Sequence, residues 1–127
     1  MENRFRIAVA VATGGALGAT AQSGVASVLD SWGAASLWSV LFVNVIGALA
    51  LGWYASHAGG PSRRSFLTAG FVAVGFLGSF TTFSAFSLEV VLMFEDGAWL
   101  AAFTYVFVSI GVALAAVSAG RLFAERR

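Results

Sequence analysis

The sequence predicts an all-α membrane protein with four transmembrane helices, and three features support that prediction. Apolar residues make up 59% of the 127 residues and charged residues only 10%, whereas soluble domains carry about 45–50% and about 25%. A soluble domain of this size has too much surface for so few charges to cover. The chain also contains four apolar stretches long enough to cross a bilayer as helices. The predicted architecture is a single transmembrane domain, residues 1–127.

The four predicted spans follow one another with only short connections. A bilayer core about 30 Å thick requires roughly 20 consecutive apolar residues in a helix. A barrel would instead need many short strands of alternating polarity, and the sequence lacks that pattern. The spans cover about residues 7–29, 34–56, 66–94 and 98–120.

The third span is too long for a single straight crossing. A helix over its 29 residues would measure about 43 Å at 1.5 Å per residue. Its centre contains Gly75 and Gly78, followed by serines and threonines whose hydroxyls offer the backbone partners outside a helix. The spacing alone leaves two interpretations open, a helix broken at mid-membrane and a tilted continuous helix.

The basic residues all fall on one side of the membrane if the four spans alternate. The opposite side carries Asp30, Glu95 and Asp96 and no basic residue. Under the positive-inside rule this distribution predicts cytoplasmic termini in the cell inner (plasma) membrane. The seven basic residues are Arg4, Arg6, Arg63, Arg64, Arg121, Arg126 and Arg127.

Small residues recur at four-residue spacing in the spans, which predicts close helix packing within or between protomers. The pairs are Gly14/Gly18, Ala48/Gly52, Gly111/Ala115 and Ala115/Ala119.

The sequence carries no pattern that indicates catalysis. It has no cysteine and one histidine, His57, at a predicted membrane edge. It also lacks a Ser/His/Asp set, a metal-ligand spacing and a phosphate-binding glycine loop. A net charge of +1 is too small for nucleic-acid binding. We therefore predict that the protein is not an enzyme, which leaves passive conduction, secondary transport or a structural membrane role.

Polar residues inside the spans are the candidates for contact with an ion. Glu89 is the only charged one, and it lies close enough to the end of its span to reach the interface instead. The edges of Phe83 and Phe86 are electropositive and could contact an anion, although core packing explains phenylalanines equally well. The uncharged candidates are Asn44, Thr81, Thr82, Ser84, Ser87, Tyr105 and Ser109.

Four segments resemble the signatures of the CrcB/Fluc family of fluoride channels. Residues 75–89, GFLGSFTTFSAFSLE, are similar to the third-helix signature of that family. Residues 43–47, VNVIG, and 14–19, GGALGA, resemble its second-helix and first-helix motifs, and Tyr105 with Ser109 looks like its fourth-helix pair. The resemblance covers all four spans in order, and its TTFSxF core is specific.

The resemblance implies a fluoride-selective passive channel that exports cytoplasmic fluoride through pores at the interface of an antiparallel, dual-topology dimer. It implies a third helix broken at mid-membrane, and a structural Na+ at the dimer interface held by the backbone carbonyls of Gly78 and Thr81. Glu89 is a candidate polar or gating residue. The implied fluoride pathway comprises Asn44, Phe83, Phe86, Thr82, Ser84, Tyr105 and Ser109.

The chain departs from the family pattern at two places. Gln22 stands where the family usually has an arginine, and Ser39-Val40 replaces a usual Gly-Thr, so a pore hydroxyl is expected to be missing or displaced. The one-sided arginines also leave two partners open, a second copy or a homologous subunit of opposite orientation. The alternative function is a small multidrug-resistance-type proton-coupled transporter, which requires an acidic residue that the first span lacks.

Overall fold

The computed structural model describes residues 2–33, 35–57 and 66–125, and every regular element within those ranges is helical. The predicted start of the second span at residue 34, and the connection at residues 58–65, lie outside the described residues. The elements are α1 (Glu2–Ser31), α2 (Ser36–His57), α3 (Phe66–Ala69), a π-helix (Gly70–Leu77), α4 (Gly78–Phe80), α5 (Phe83–Glu95) and α6 (Trp99–Glu125).

Three segments in the described part of the chain are long and apolar enough to cross a membrane: Ser36–His57, Phe66–Glu95 and Trp99–Glu125. They coincide with the second, third and fourth predicted spans, which stay predictions as membrane crossings. Helix α1 is not among these segments, although it is 30 residues long. Its glycines, hydroxyl residues and Gln22 lower its mean hydropathy, so the first span, and with it the count of four, stays a prediction.

The predicted interruption of the third span is present at Thr81 and Thr82. Both residues have extended backbone, with ψ of 153° and 119°, between helical turns on either side. Phe66–Glu95 is therefore two half-helices rather than one tilted helix. The sequence did not predict the π-helix, Gly70–Leu77, that makes up much of the first half.

Glycines bring the helix backbones together in two pairs. In the first pair, a Cβ on Gly14 or Gly18 of α1 would collide with the backbone carbonyl of Phe71 or Phe76. The second pair is α2 with α6, where a Cβ on Gly52 would meet the Val117 carbonyl and one on Gly120 the Leu49 carbonyl. These contacts confirm close packing for Gly14, Gly18 and Gly52, because small residues let backbones approach.

One predicted small-residue pair faces outward instead. A Cβ on Gly111 would meet nothing within 4 Å, and Ala115 is exposed. This face of α6 is therefore not used for packing inside the chain.

The contacts also fix the direction of each helix. Ile7 lies near Gly70 and Gly15 near Ser79, so α1 runs parallel to the first half of the third segment. Helix α2 runs parallel to α6, because Leu37 and Tyr105 meet at one end and Leu49 and Gly120 towards the other. The two pairs run in opposite directions, as alternating spans require. The beginnings of α1 and α3 consequently share an end of the molecule with the ends of α2 and α6.

Candidate functional site

The side chain of Asn44 on α2 forms hydrogen bonds with the backbone at the break. The backbone N–H of Thr82 donates to Asn44 Oδ1 at 2.7 Å, and Asn44 Nδ2 donates to the Thr82 carbonyl at 3.0 Å. Because extended backbone inside a membrane protein must satisfy its polar groups locally, this double hydrogen bond replaces the missing helical partners of Thr82. Asn44 thus stabilises the interruption, a role that the sequence prediction did not include.

Thr82 also begins the second half-helix. Its Oγ1 accepts a hydrogen bond from the Ala85 N–H at 3.2 Å, the usual arrangement of a threonine N-cap. The same oxygen lies 3.2 Å from Ser84 Oγ. The candidates Thr82 and Ser84 are therefore together at the N-terminus of α5, where the helix dipole favours negative charge.

The two carbonyls predicted to hold a cation have both lost a helical partner. Thr82 N–H, which in a continuous helix would bond the Gly78 carbonyl, donates to Asn44 instead. Ala85 N–H, which would bond the Thr81 carbonyl, donates to Thr82 Oγ1. Carbonyl oxygens of this kind are suitable ligands for a hard cation, so the residues present fit a sodium ion.

An open groove of about 280 Å³ lies beside the break. Its wall combines amide, hydroxyl and aromatic groups from α2, the break, α5 and α6, and among them are five of the seven predicted pathway residues. Its lining residues are Asn44, Thr81, Thr82, Phe83, Phe86, Ser109, Ile110 and Ala113.

Aromatic rings continue from the groove towards the start of α2. The rings of Phe83 and Phe86 are 5.7 Å apart, and those of Phe86 and Tyr105 are 5.4 Å apart. The Tyr105 hydroxyl donates to the Leu37 carbonyl at 3.3 Å, and this fixes the ring at one end of the row. Phe83 is 79% exposed on the single chain, so plain core packing does not account for it.

The hydroxyl of Ser109 is another polar group of the groove that is available to an ion. Its Oγ is buried and has no hydrogen-bond partner of good geometry among the described residues. The Tyr105 hydroxyl, which donates to the Leu37 carbonyl, is near enough to interact with it, and an anion or water in the groove would give the buried Ser109 hydroxyl a further partner. By contrast, Ser87 Oγ donates to its own helix, at the Phe83 carbonyl.

Two further polar residues lie away from the groove lining. Glu89 accepts a hydrogen bond from Ser36 Oγ at 2.6 Å, which joins α5 to the first residue of α2. Ser39 is buried and donates to Asp30 at 3.1 Å, so its hydroxyl closes the turn between α1 and α2. The hydroxyl that was expected near position 40 belongs to Ser39 in this chain, and it bonds Asp30 at that turn. Gln22 is half-buried on α1.

The Ser36–Glu89 contact and the apolar members of the groove wall were not predicted from the sequence. Ala113 lies four residues after Ser109 and three after Ile110 on α6, and this spacing is the only signal that places it beside them. Nothing in the sequence pairs Ser36 with Glu89, because 53 residues separate them.

The fold and the groove define a class, a helical membrane protein whose third apolar segment is interrupted beside a polar, phenylalanine-lined groove. The family model described as "CrcB-like protein, Camphor Resistance (CrcB)" matches residues 9–121. The chain therefore belongs to the CrcB family, and the resemblance drawn from the sequence motifs is confirmed.

Curated relatives cover nearly the whole chain. The protein named fluoride-specific ion channel FluC 2 of Symbiobacterium thermophilum is 45% identical, over 91% of this chain and 95% of its own length. Proteins named fluoride-specific ion channel FluC from Hyphomonas neptunium and Rhizobium johnstonii are 42% and 40% identical, over 91% and 89% of this chain and 93% and 91% of theirs. These relatives are ion channels by name, in agreement with the predictions of an integral membrane protein that is not an enzyme.

Proposed function

We propose that the protein is a fluoride-selective passive ion channel that exports cytoplasmic fluoride. The observation that carries the proposal is the Asn44–Thr82 double hydrogen bond, which holds a helix break open beside the groove lined by Phe83, Phe86 and Ser109. Fluoride is inferred as the conducted ion from the names of the relatives. Family membership leaves the small multidrug-resistance-type alternative without support.

The groove offers what a small, strongly hydrated anion needs. An Asn amide carries two hydrogens, and one of them remains for an ion while the other donates to Thr82. The Ser109 hydroxyl and the electropositive ring edges of Phe83 and Phe86 add further donors. None of these groups carries a fixed positive charge, so the ion is bound weakly enough to leave, as conduction requires.

The two ends that meet at the break favour opposite charges. Helix dipoles give the N-terminus of α5 a partial positive charge and the C-terminus of α4 a partial negative charge. The anion pathway accordingly lies on the side of Ser84 and Phe83. We place the structural Na+ at the carbonyls of Gly78 and Thr81, at the end of the first half-helix, where it would neutralise oxygens that have lost their helical donors.

The pathway is completed by a second subunit in opposite orientation. Exposed Phe83 and the uncovered α6 face at Gly111 and Ala115 both border the groove residues Ile110 and Ala113. A single chain of this size has little room for a lumen, so two pores at the interface of an antiparallel dimer fit this arrangement. The partner is a second copy or, as the one-sided arginines favour, a homologous subunit inserted the other way.

The test is fluoride efflux from liposomes that contain this protein alone, recorded with a fluoride electrode, with chloride efflux as the selectivity control. Rapid efflux of fluoride but not chloride is the expected result for a homodimer. Absence of efflux that co-expression of an oppositely oriented homologue restores would assign the partner. Equal fluoride and chloride efflux, or none under either condition, would contradict the proposed function.

Substitutions in the aromatic row test the pathway. Phe83→Ile and Phe86→Ile are expected to lower fluoride efflux at least tenfold while the dimer still forms, because an aliphatic side chain has no electropositive edge. Phe123→Ile, at an exposed position in the last turns of α6, is the matched control and should conduct normally. Unchanged efflux in both groove variants would remove the phenylalanines from the pathway.

A further inference from the structure

A second groove lies at the other end of the described molecule from the Asp30–Ser39 turn. It has a volume of about 540 Å³ and runs between the first turns of α1 and the beginning of the third segment. Its walls are mainly apolar, with Phe5 and Val9 on one side and Leu67 and Phe71 on the other. A volume of this size is within the usual range for ligand sites.

Two hydroxyl residues line this groove, Thr13 and Thr68, and the hydroxyl of Thr13 is satisfied by its own helix. Thr13 Oγ1 donates to the Val9 carbonyl at 2.8 Å and also lies 3.1 Å from the Ala10 carbonyl. Its methyl group can therefore serve as apolar wall, and the hydroxyl does not require water. The surface suits a hydrocarbon chain better than a polar ligand.

The mouth of the groove is basic. Arg6 lines it, and Arg4 precedes it on the exposed surface of α1. No acidic side chain is among the described lining residues, and Arg6 makes no ion pair within the described part of the chain. Glu2, one turn before Arg6, is the nearest acidic residue along α1.

Leu67 lies one residue into Phe66–Glu95, a segment long and apolar enough to cross a membrane. We therefore expect this end of the groove to lie near the membrane edge, where phospholipid headgroups are found. Basic pockets between transmembrane helices at such an edge bind anionic headgroups. An apolar groove that opens to lipid beneath an arginine matches the two halves of one amphipathic molecule.

We propose that this groove is a binding site for a single anionic phospholipid. One acyl chain lies along Phe5, Val9, Leu67 and Phe71, and the phosphate pairs with the Arg6 guanidinium. The site is separate from the groove at the helix break and does not depend on fluoride conduction. The bound lipid stabilises the packing of α1 against the third segment at the end that they share, next to the glycine contacts of Gly14 and Gly18.

Native mass spectrometry of the purified protein tests the site. Micelles are doped with phosphatidylglycerol or with phosphatidylcholine of the same acyl chains, and the bound lipids per chain are counted. The wild type is expected to retain one phosphatidylglycerol and little phosphatidylcholine. Arg6→Gln should lower that retention roughly fivefold, the effect expected for one basic residue at an anionic headgroup. Arg121→Gln, an arginine on α6 that does not line the groove, is the matched control and should retain the lipid.

A second variant tests the acyl-chain half. Val9→Trp fills the groove while Arg6 remains, and it should abolish retention. Circular dichroism and elution volume establish that it folds. Equal retention of both lipids would overturn the proposal, as would equal losses in Arg6→Gln and Arg121→Gln. Displacement of the lipid by soluble glycerol 3-phosphate would overturn it too, because a headgroup site alone would then suffice.

Discussion

At the residue scale, Asn44 stabilises the break through both ends of its amide. The side chain meets one donor and one acceptor of the same residue, Thr82, which fixes the orientation of the amide as well as its position. A residue with a single polar atom can satisfy only one of the two groups. The choice of asparagine at this position therefore follows from the extended backbone opposite it.

Substitution of Asn44 measures that contribution. Asn44→Ala leaves the N–H and carbonyl of Thr82 without these partners, which should lower the free energy of unfolding in detergent by about 2–4 kcal/mol. Fluoride efflux should fall at least tenfold. Ser39→Ala is the control: it removes one buried hydrogen bond, to Asp30, and should conduct normally. Normal efflux in Asn44→Ala would mean that this side chain contributes to helix packing and not to conduction.

At the element scale, the third segment breaks because its side chains take over backbone hydrogen bonds. Thr82 caps α5 and so withdraws Ala85 N–H from the Thr81 carbonyl. Thr81 Oγ1 donates to the Leu77 carbonyl at 3.0 Å, so the last turn before the break is closed by both backbone and side chain. The sequence prediction rested on glycines and on the hydroxyl residues after them. The threonines lie at the break, whereas Gly75 and Gly78 lie one to two turns earlier, in or next to the π-helix.

Substitution of the cap tests this account of the break. Thr82→Val removes the oxygen that accepts from Ala85 and should lower stability by about 1 kcal/mol, the usual value of a helix cap. Because the start of α5 carries part of the groove, efflux should drop several-fold. Thr82→Ser keeps the hydroxyl and should restore both properties. Equal behaviour of Thr82→Val and Thr82→Ser would show that the cap does not matter for conduction.

At the scale of the whole molecule, the two parallel helix pairs bring the described arginines to one end. The beginning of α1, with Arg4 and Arg6, shares that end with Arg121 near the end of α6. Asp30, Glu95 and Asp96 lie at the opposite turns. The charge pattern noted in the sequence is thus a property of the fold, and it predicts one predominant orientation in the membrane.

Labelling of single cysteines measures that orientation, because the chain has no cysteine of its own. Asp30→Cys should react with an impermeant maleimide added outside intact cells, and Asn3→Cys should be protected in most molecules. Asp96→Cys, at the same end as Asp30, is the control and should follow it. Equal labelling of Asn3→Cys and Asp30→Cys would mean insertion in both orientations and a homodimer.

The sequence by itself determined the class of protein, the family and three helical segments long and apolar enough to cross a membrane. Long apolar runs and the TTFSxF core are local features, and the bilayer imposes the length of a span directly. For the third segment the sequence left two interpretations open, a broken helix and a tilted continuous one. The Thr81–Thr82 backbone decided between them, because a break exists only where distant groups satisfy the freed polar atoms.

Only the tertiary structure decided how the site is assembled. Asn44 and Thr82 are 38 residues apart, and Ser36 and Glu89 are 53 apart, so no local pattern pairs them. Likewise, the spacing of small residues is the same for Gly18 and Gly111, yet the first packs against a backbone and the second meets open space. Helix packing selects which face of each helix is covered, and that selection depends on neighbours that the sequence pattern does not specify.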